Sequence, residues 1–99
     1  MTETYSSGVW AVKSGEEDAF LADWKEFVSW AAELPGSGEF RLLRDIDLPN
    51  RYVSFGSWED HDAQNAWTQH AEFAERLGRV RAHCDDFTPS SYELAAQVS

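Results

Sequence analysis

Residues 39–58, EFRLLRDIDLPNRYVSFGSW, constrain the fold more than any other stretch. The runs EFRLLRDI (39–46) and RYVSFGSW (51–58) have strand composition, and DLPN (47–50) between them has turn composition. Together they read as an antiparallel hairpin. Leu42 stands beside Leu43, and Tyr52 beside Val53. Successive strand side chains point to opposite faces. Both faces of this hairpin are therefore apolar, and both need cover. Gly56 inside the second run predicts a bulge or a close approach.

The remaining segments supply cover for one face. SSGVWAVK (6–13) reads as a strand through Val9, Trp10 and Val12. SGEE (14–17) starts a helix, with Ser14 as the expected N-cap. Phe20, Trp24, Phe27, Ala31 and Leu34 then fall on one helical stripe, which PGSG (35–38) ends. Asp60 is the expected N-cap of a second helix, with Ala63, Ala66, Trp67 and His70 on its inner face. The stripe resumes at Phe73, Leu77, Val80 and Cys84, so a kink or restart is expected near His70. Arg76, Arg79 and Arg81 suit its C-terminal end. Residues 85–98 read as a loop and a final strand.

The order is β-α-β-β-α-β, an α+β fold of the ferredoxin-like split βαβ type. It has a four-stranded antiparallel sheet with two helices on one face. At 99 residues, a single domain over 1–99 uses the whole chain, and no segment is left for the other face. A second copy of the chain is the simplest cover.

Charge and cysteine content narrow the function. Eighteen acidic residues against eight basic ones give a net charge of −10, which argues against nucleic acid or an anionic membrane as partner. The single cysteine, Cys84, rules out an internal disulfide. No metal-ligand spacing is present. MTETYSSG lacks the features of a signal peptide, and no apolar run approaches the roughly 20 residues of a membrane span. The chain reads as cytoplasmic.

The stretches GEFRLLRDIDLPNRYVSFGSWEDHDAQNAW and FAERLGRVRAHCDDFTPSSYEL resemble the antibiotic biosynthesis monooxygenase domain family. The most specific parts are the hairpin, the spacing from Trp58 to Trp67, and the group Phe87, Pro89, Tyr92 and Glu93. The resemblance implies a dimeric α+β barrel, two ferredoxin-like subunits with their sheets packed together. It includes quinone-forming monooxygenases of aromatic polyketide pathways, which need no metal or flavin, and heme-degrading monooxygenases. In the heme-degrading branch, Trp67 matches the site tryptophan, but Gly8 and Leu77 stand where an asparagine and the axial histidine are required. In the quinone-forming branch Trp67 matches again, while Ala63 and Phe73 replace an asparagine and a tyrosine. The resemblance therefore implies no cofactor and a small aromatic substrate.

Cofactor-free oxygenation needs an apolar pocket, a base or proton shuttle, and donors for a developing enolate. The expected catalytic residues are His70, for its titration range, and Trp67, for its N–H and flat face. Trp10, Trp24, Phe27, Arg44, Tyr52 and Phe73 are the expected substrate-binding residues. Each also has a plainer reading. Trp67 and the other aromatics can be core. His70 can be a helix-junction residue bonded to backbone, and Arg44 can pair with an acid. Trp58 is expected at a strand end, His61 in solvent, and Cys84 as a buried, inert thiol. The functional reading is a homodimeric, cofactor-independent monooxygenase acting on a small aromatic compound. The alternative is a non-catalytic binding or structural dimer of the same fold.

Overall fold

The computed structural model describes residues 3–99. Its elements are β1 (Thr4–Val12), α1 (Glu17–Ala31), β2 (Ser37–Arg44), β3 (Arg51–Trp58), α2 (His61–Thr68), α3 (Phe73–Arg81) and β4 (Cys84–Glu93). The four strands form one antiparallel sheet in the order β2-β3-β1-β4. This is the α+β ferredoxin-like arrangement expected, with the second helix divided in two. Among the described residues, no helix is long and apolar enough to cross a membrane.

Helix α1 buries Phe20, Trp24, Phe27 and Ala31, the stripe read from their spacing. Its start differs from expectation. Glu16, not Ser14, holds the cap position and makes no side-chain cap bond. The Glu17 carboxylate instead reaches back to accept from the N–H of Gly15, in the turn before the cap, at 3.0 Å. At the other end the helix stops at Ala31. The Ser37 hydroxyl donates to the carbonyls of Leu34 (2.8 Å) and Ala32 (3.0 Å).

Asp60 caps α2 as expected, its Oδ1 accepting from the Ala63 N–H at 2.9 Å. Residues 69–72 then break the helix. The His70 N–H turns to the Trp67 carbonyl at 3.1 Å, and the Glu72 N–H donates to His70 Nδ1 at 3.1 Å. These local bonds replace the helical ladder and re-aim the chain into α3. The next departure is Cys84, expected on the helical stripe. It is the first residue of β4, paired with Val12, and the Lys13 N–H donates to the His83 carbonyl at 2.8 Å. β4 therefore begins at Cys84 and ends at Glu93, with no strand beyond. Gly56 is a close approach: a Cβ there would strike the Phe40 ring. The register shift in this pair lies on β2, between Ser37 and Phe40.

Register sets the inner face. Across β1 and β3, Thr4 pairs with Trp58, Ser6 with Gly56, Gly8 with Ser54, and Trp10 with Tyr52. Large side chains therefore stand at both ends of β3 and at one end of β1, with small ones between. At one end Phe20 closes over Trp10 (5.5 Å between ring centroids) and Tyr52 (5.1 Å). The alternate residues face away from the helices, among them Tyr5, Val9, Leu43, Val53, Phe55 and Tyr92. Leu43 and Tyr92 are more than half exposed, at 54% and 53%. The outer face is thus apolar and uncovered within the chain.

Candidate active site

A cavity of about 380 Å³ lies between the sheet and the helices, within the range of small-molecule sites. Its floor is the small-residue middle of the sheet: Ser6, Gly8, Ser54 and Gly56. Gly8 cannot gain a side chain without cost, since a Cβ there would sit 2.7 Å from Phe87 Cε1. The walls are aromatic. Trp10 comes from β1, Trp24 and Phe27 from α1, Phe40 from β2, Trp67 from α2, Phe73 from α3 and Phe87 from β4.

Trp67 is held on several sides. Its ring stacks on Trp58 at 5.0 Å and 27°, meets Phe73 edge-on at 5.0 Å, and lies 5.5 Å from Phe27. The ring is 6% exposed, and its Nε1 has no hydrogen-bond partner. The two tryptophans on the sheet differ. Trp10 Nε1 donates to Ser54 Oγ at 3.0 Å, and Trp58 Nε1 to Ser6 Oγ at 3.3 Å. Floor serines thus satisfy those two, while the Trp67 N–H is left over.

One turn earlier, Gln64 is 4% exposed. Its Nε2 donates to Ser91 Oγ at 2.8 Å, and its Oε1 is buried without a partner. An unmatched buried donor or acceptor costs about 1–3 kcal/mol. Two lie on one short helix, both on cavity-lining residues, and both atoms are themselves buried with almost no accessible surface.

The charge pattern is simple. Among the described residues lining the cavity, Arg81 is the only titratable one, an exposed side chain over the Phe87 ring at 5.5 Å. Among the described residues, no histidine, cysteine, tyrosine or carboxylate lines it. Leu77, expected from the resemblance in place of a heme-ligating histidine, lines the cavity. Among the described residues, no group of three or more His, Cys, Asp and Glu could hold a metal ion.

Of the residues expected at the site, the structure brings Trp10, Trp24, Phe27, Trp67 and Phe73 together around the cavity. His70 lies elsewhere. It sits in the break between α2 and α3, edge-on to Trp30 at 5.1 Å, with Nδ1 occupied by the Glu72 N–H. Arg44 and Tyr52 are also displaced. The Arg44 guanidinium donates to Tyr52 Oη from Nε (3.1 Å) and Nη2 (2.8 Å), beside a separate shallow pocket with Leu21, Lys25 and Leu42. Tyr52 is drawn there because its ring packs under Phe20. Arg44 therefore pairs with a phenol, not an acid. Burial, its largest cause, pushes the Cys84 thiol up to about 11, which makes it a poor nucleophile at neutral pH.

Gln64 and Ser91 escaped the sequence reading. Apolar Ala63 and Ala66 were favoured for the inner face of α2, yet Ala66 is exposed and Gln64 takes that place. The floor did carry a signal. Thr4-Ser6-Gly8-Trp10 and Tyr52-Ser54-Gly56-Trp58 are the alternate positions of two strands, and both are small in the middle.

Known proteins share this fold. The family model described as antibiotic biosynthesis monooxygenase matches residues 7–76. SnoaB, a cofactor-independent oxygenase from Streptomyces nogalater, is similar in two crystal structures. An asparagine-to-alanine mutant of it is 22% identical, with a TM-score of 0.89 over 97% of this chain and 96% of that one. A second SnoaB structure is 24% identical, with a TM-score of 0.82 over 100% and 97%. A conserved protein from Methanosarcina mazei is 14% identical, with a TM-score of 0.83 over 93% and 92%. At these identities the structural likeness shows the fold. No curated protein matches the chain.

Proposed function

The chain belongs to the antibiotic biosynthesis monooxygenase family, and from that premise we propose that it is a cofactor-independent monooxygenase acting on a small aromatic compound. The observation that carries this reading is the aromatic-walled cavity, with no base among its described lining residues. Stacked and edge-on rings suit a flat ligand. A fixed N–H in a low-dielectric site suits an oxygen on which negative charge develops. With Arg81 as the only titratable lining group, the substrate must be acidic enough to release its proton to water.

An electron-rich phenol or enolisable ketone meets that need. Its carbanion passes an electron to dioxygen, and recombination forms a carbon–oxygen bond. The resulting peroxide anion takes a proton from water, and the hydroperoxide so formed loses water with the hydrogen on its carbon, leaving a carbonyl. The protein's part is to exclude water, orient the ring and hold the oxyanion. His70 has no step in this scheme because it lies outside the cavity.

We also propose a homodimer joined through the outer sheet face, where Leu43, Phe55 and Tyr92 are exposed. A cytoplasmic location belongs to the same proposal and fits the lone free thiol. A second reading, a binding protein without turnover, is favoured by Ala63 and Phe73, which are apolar where quinone-forming relatives carry asparagine and tyrosine. Oxygen uptake by metal-free protein with a panel of anthrones and hydroquinones separates the two. Uptake well above buffer supports the oxygenase. Tight binding of the same compounds without uptake supports the binding protein.

A further inference from the structure

Helix α3 turns one stripe toward the cavity: Phe73, Leu77 and Arg81, at helical spacing. The first two are apolar wall. The third is a cation, and its surroundings differ from those of the other arginines on this helix. Arg76 pairs with Glu72 at 3.0 Å and Arg79 with Glu75 at 2.9 Å, each acid lying one turn before its arginine. One turn before Arg81 stands Leu77, because that stripe lines the cavity. Elsewhere Arg41 and Arg51 meet carboxylates, and Arg44 meets the Tyr52 hydroxyl. The Arg81 guanidinium has neither a hydrogen bond nor an ion pair among the described residues. Its central carbon lies 5.5 Å from the centre of the Phe87 ring, which itself stacks on Trp10 at 4.0 Å. Arg81 thus rests on the cavity wall through a ring contact, and its N–H donors stay unused.

We propose that Arg81 is a specificity-determining residue that selects an aromatic ligand carrying a carboxylate, holding that group at the cavity mouth while the rings lie inside. The inference rests on the oxygenase reading for its relevance, but concerns binding alone. A guanidinium presents its N–H donors as a planar fork that matches a carboxylate. Arg81 is exposed and lines the cavity, so those donors stand where the cavity meets solvent. The rest of the described lining is apolar or neutral. A carboxylate set among those rings would lose its hydration and gain no counter-charge. The charged group therefore has one favourable place, and the ligand one orientation. The net charge of −10 sharpens the choice. So acidic a chain repels an anion at long range, and the unpaired cation offsets that repulsion where the ligand binds. A neutral ligand of the same shape gains only ring contact from Arg81, and a cationic one is repelled by it.

The test compares anthraquinone-2-carboxylate with anthraquinone-2-carboxamide, which has nearly the same shape and no charge. Binding of each at neutral pH is read from quenching of tryptophan fluorescence. Arg81→Gln is expected to weaken the carboxylate about fivefold, the upper end for an exposed ion pair, and to leave the carboxamide within about twofold. Added salt should weaken the carboxylate more than the carboxamide in the wild-type protein. Arg81→Lys keeps the charge and loses the fork, so its loss should be smaller and again confined to the carboxylate; it carries the test if Arg81→Gln does not fold. Arg79→Gln, which removes a paired cation from the same helix, should change neither ligand. Equal weakening of both ligands by Arg81→Gln, as large a loss in Arg79→Gln, or no binding of the carboxylate by the wild-type protein overturns the proposal. The expected discrimination without oxygen uptake from anthrones defeats the oxygenase reading and leaves this one standing. Uptake from neutral anthrones without that discrimination does the reverse.

Discussion

The layer between sheet and helices has a filled end and an open middle, although the same two strands supply both. At the filled end Trp10 pairs with Tyr52, and Phe20 covers them with no exposure of its own. In the middle, Ser6, Gly8, Ser54 and Gly56 leave the space above them empty of side chains. Alternation in a strand decides which residues face inward, but their size decides whether the layer closes. Polar satisfaction divides along the same line. At the filled end Arg44 meets Tyr52, and Trp10 meets Ser54. Over the middle, Gln64 and Trp67 each retain an unmatched atom. The filled end contributes stability, and the open middle gives some up.

The sharpest way to break this contrast is at Phe20. Phe20→Ala is expected to cost about 3–5 kcal/mol, as for a fully buried aromatic, measured by urea unfolding. A loss below about 1 kcal/mol would mean the filled end is not the stabilising part. Gly8→Ala attacks the other region. Its Cβ would press on Phe87, so a cost of about 1–3 kcal/mol is expected, with weaker binding of any flat probe. Unchanged binding would show that the floor does not bound the ligand.

Trp67→Phe sharpens the comparison because stability and function should part. Removing a buried, unmatched N–H should leave stability unchanged or higher by up to about 1 kcal/mol. Oxygen uptake should fall about a hundredfold, the usual loss for an oxyanion donor. Loss of both together would make Trp67 an ordinary core residue.

The smallest effect is expected of His83, beyond the filled end. Its Nδ1 lies 3.0 Å from Glu16 Oε1 and its Nε2 2.6 Å from Asp23 Oδ2. Hydrogen bonds to Glu16 and then Asp23 raise its pKa above the usual 6.5 despite partial burial. The charged form is thus favoured by folding. Its stabilisation is complete below the unfolded-state pKa and fades as pH rises through the higher folded-state value. The stability difference between wild type and His83→Gln should shrink from pH 6 toward pH 9. A difference that grew with pH would contradict the clamp.

Much of this was legible in the chain. Two-sided apolar runs at 39–46 and 51–58 demanded a hairpin covered twice, and the 20-24-27-31 stripe located α1. The break near His70 followed from the interrupted stripe on either side of it. The cavity was harder to read, because serine and glycine in a strand look like weak strand formers until register sets them side by side. The facing of α2 was misjudged since alanine outranks glutamine for burial when no partner is known, and Ser91 lies far away in sequence. His70 attracted attention by its chemistry, but local backbone bonds had already claimed its ring nitrogen.

The central claim is that an acidic substrate, not a protein base, releases the proton that starts oxygenation in this cavity. The most direct test is the pH dependence of oxygen uptake by metal-free wild type and His70→Ala, with two anthrones of different acidity. Catalysed uptake is expected whose kcat/KM rises with each substrate's own ionisation, shifts when the substrate is changed, and is the same in both proteins. A profile that stays put between substrates, or that moves in His70→Ala, would contradict it.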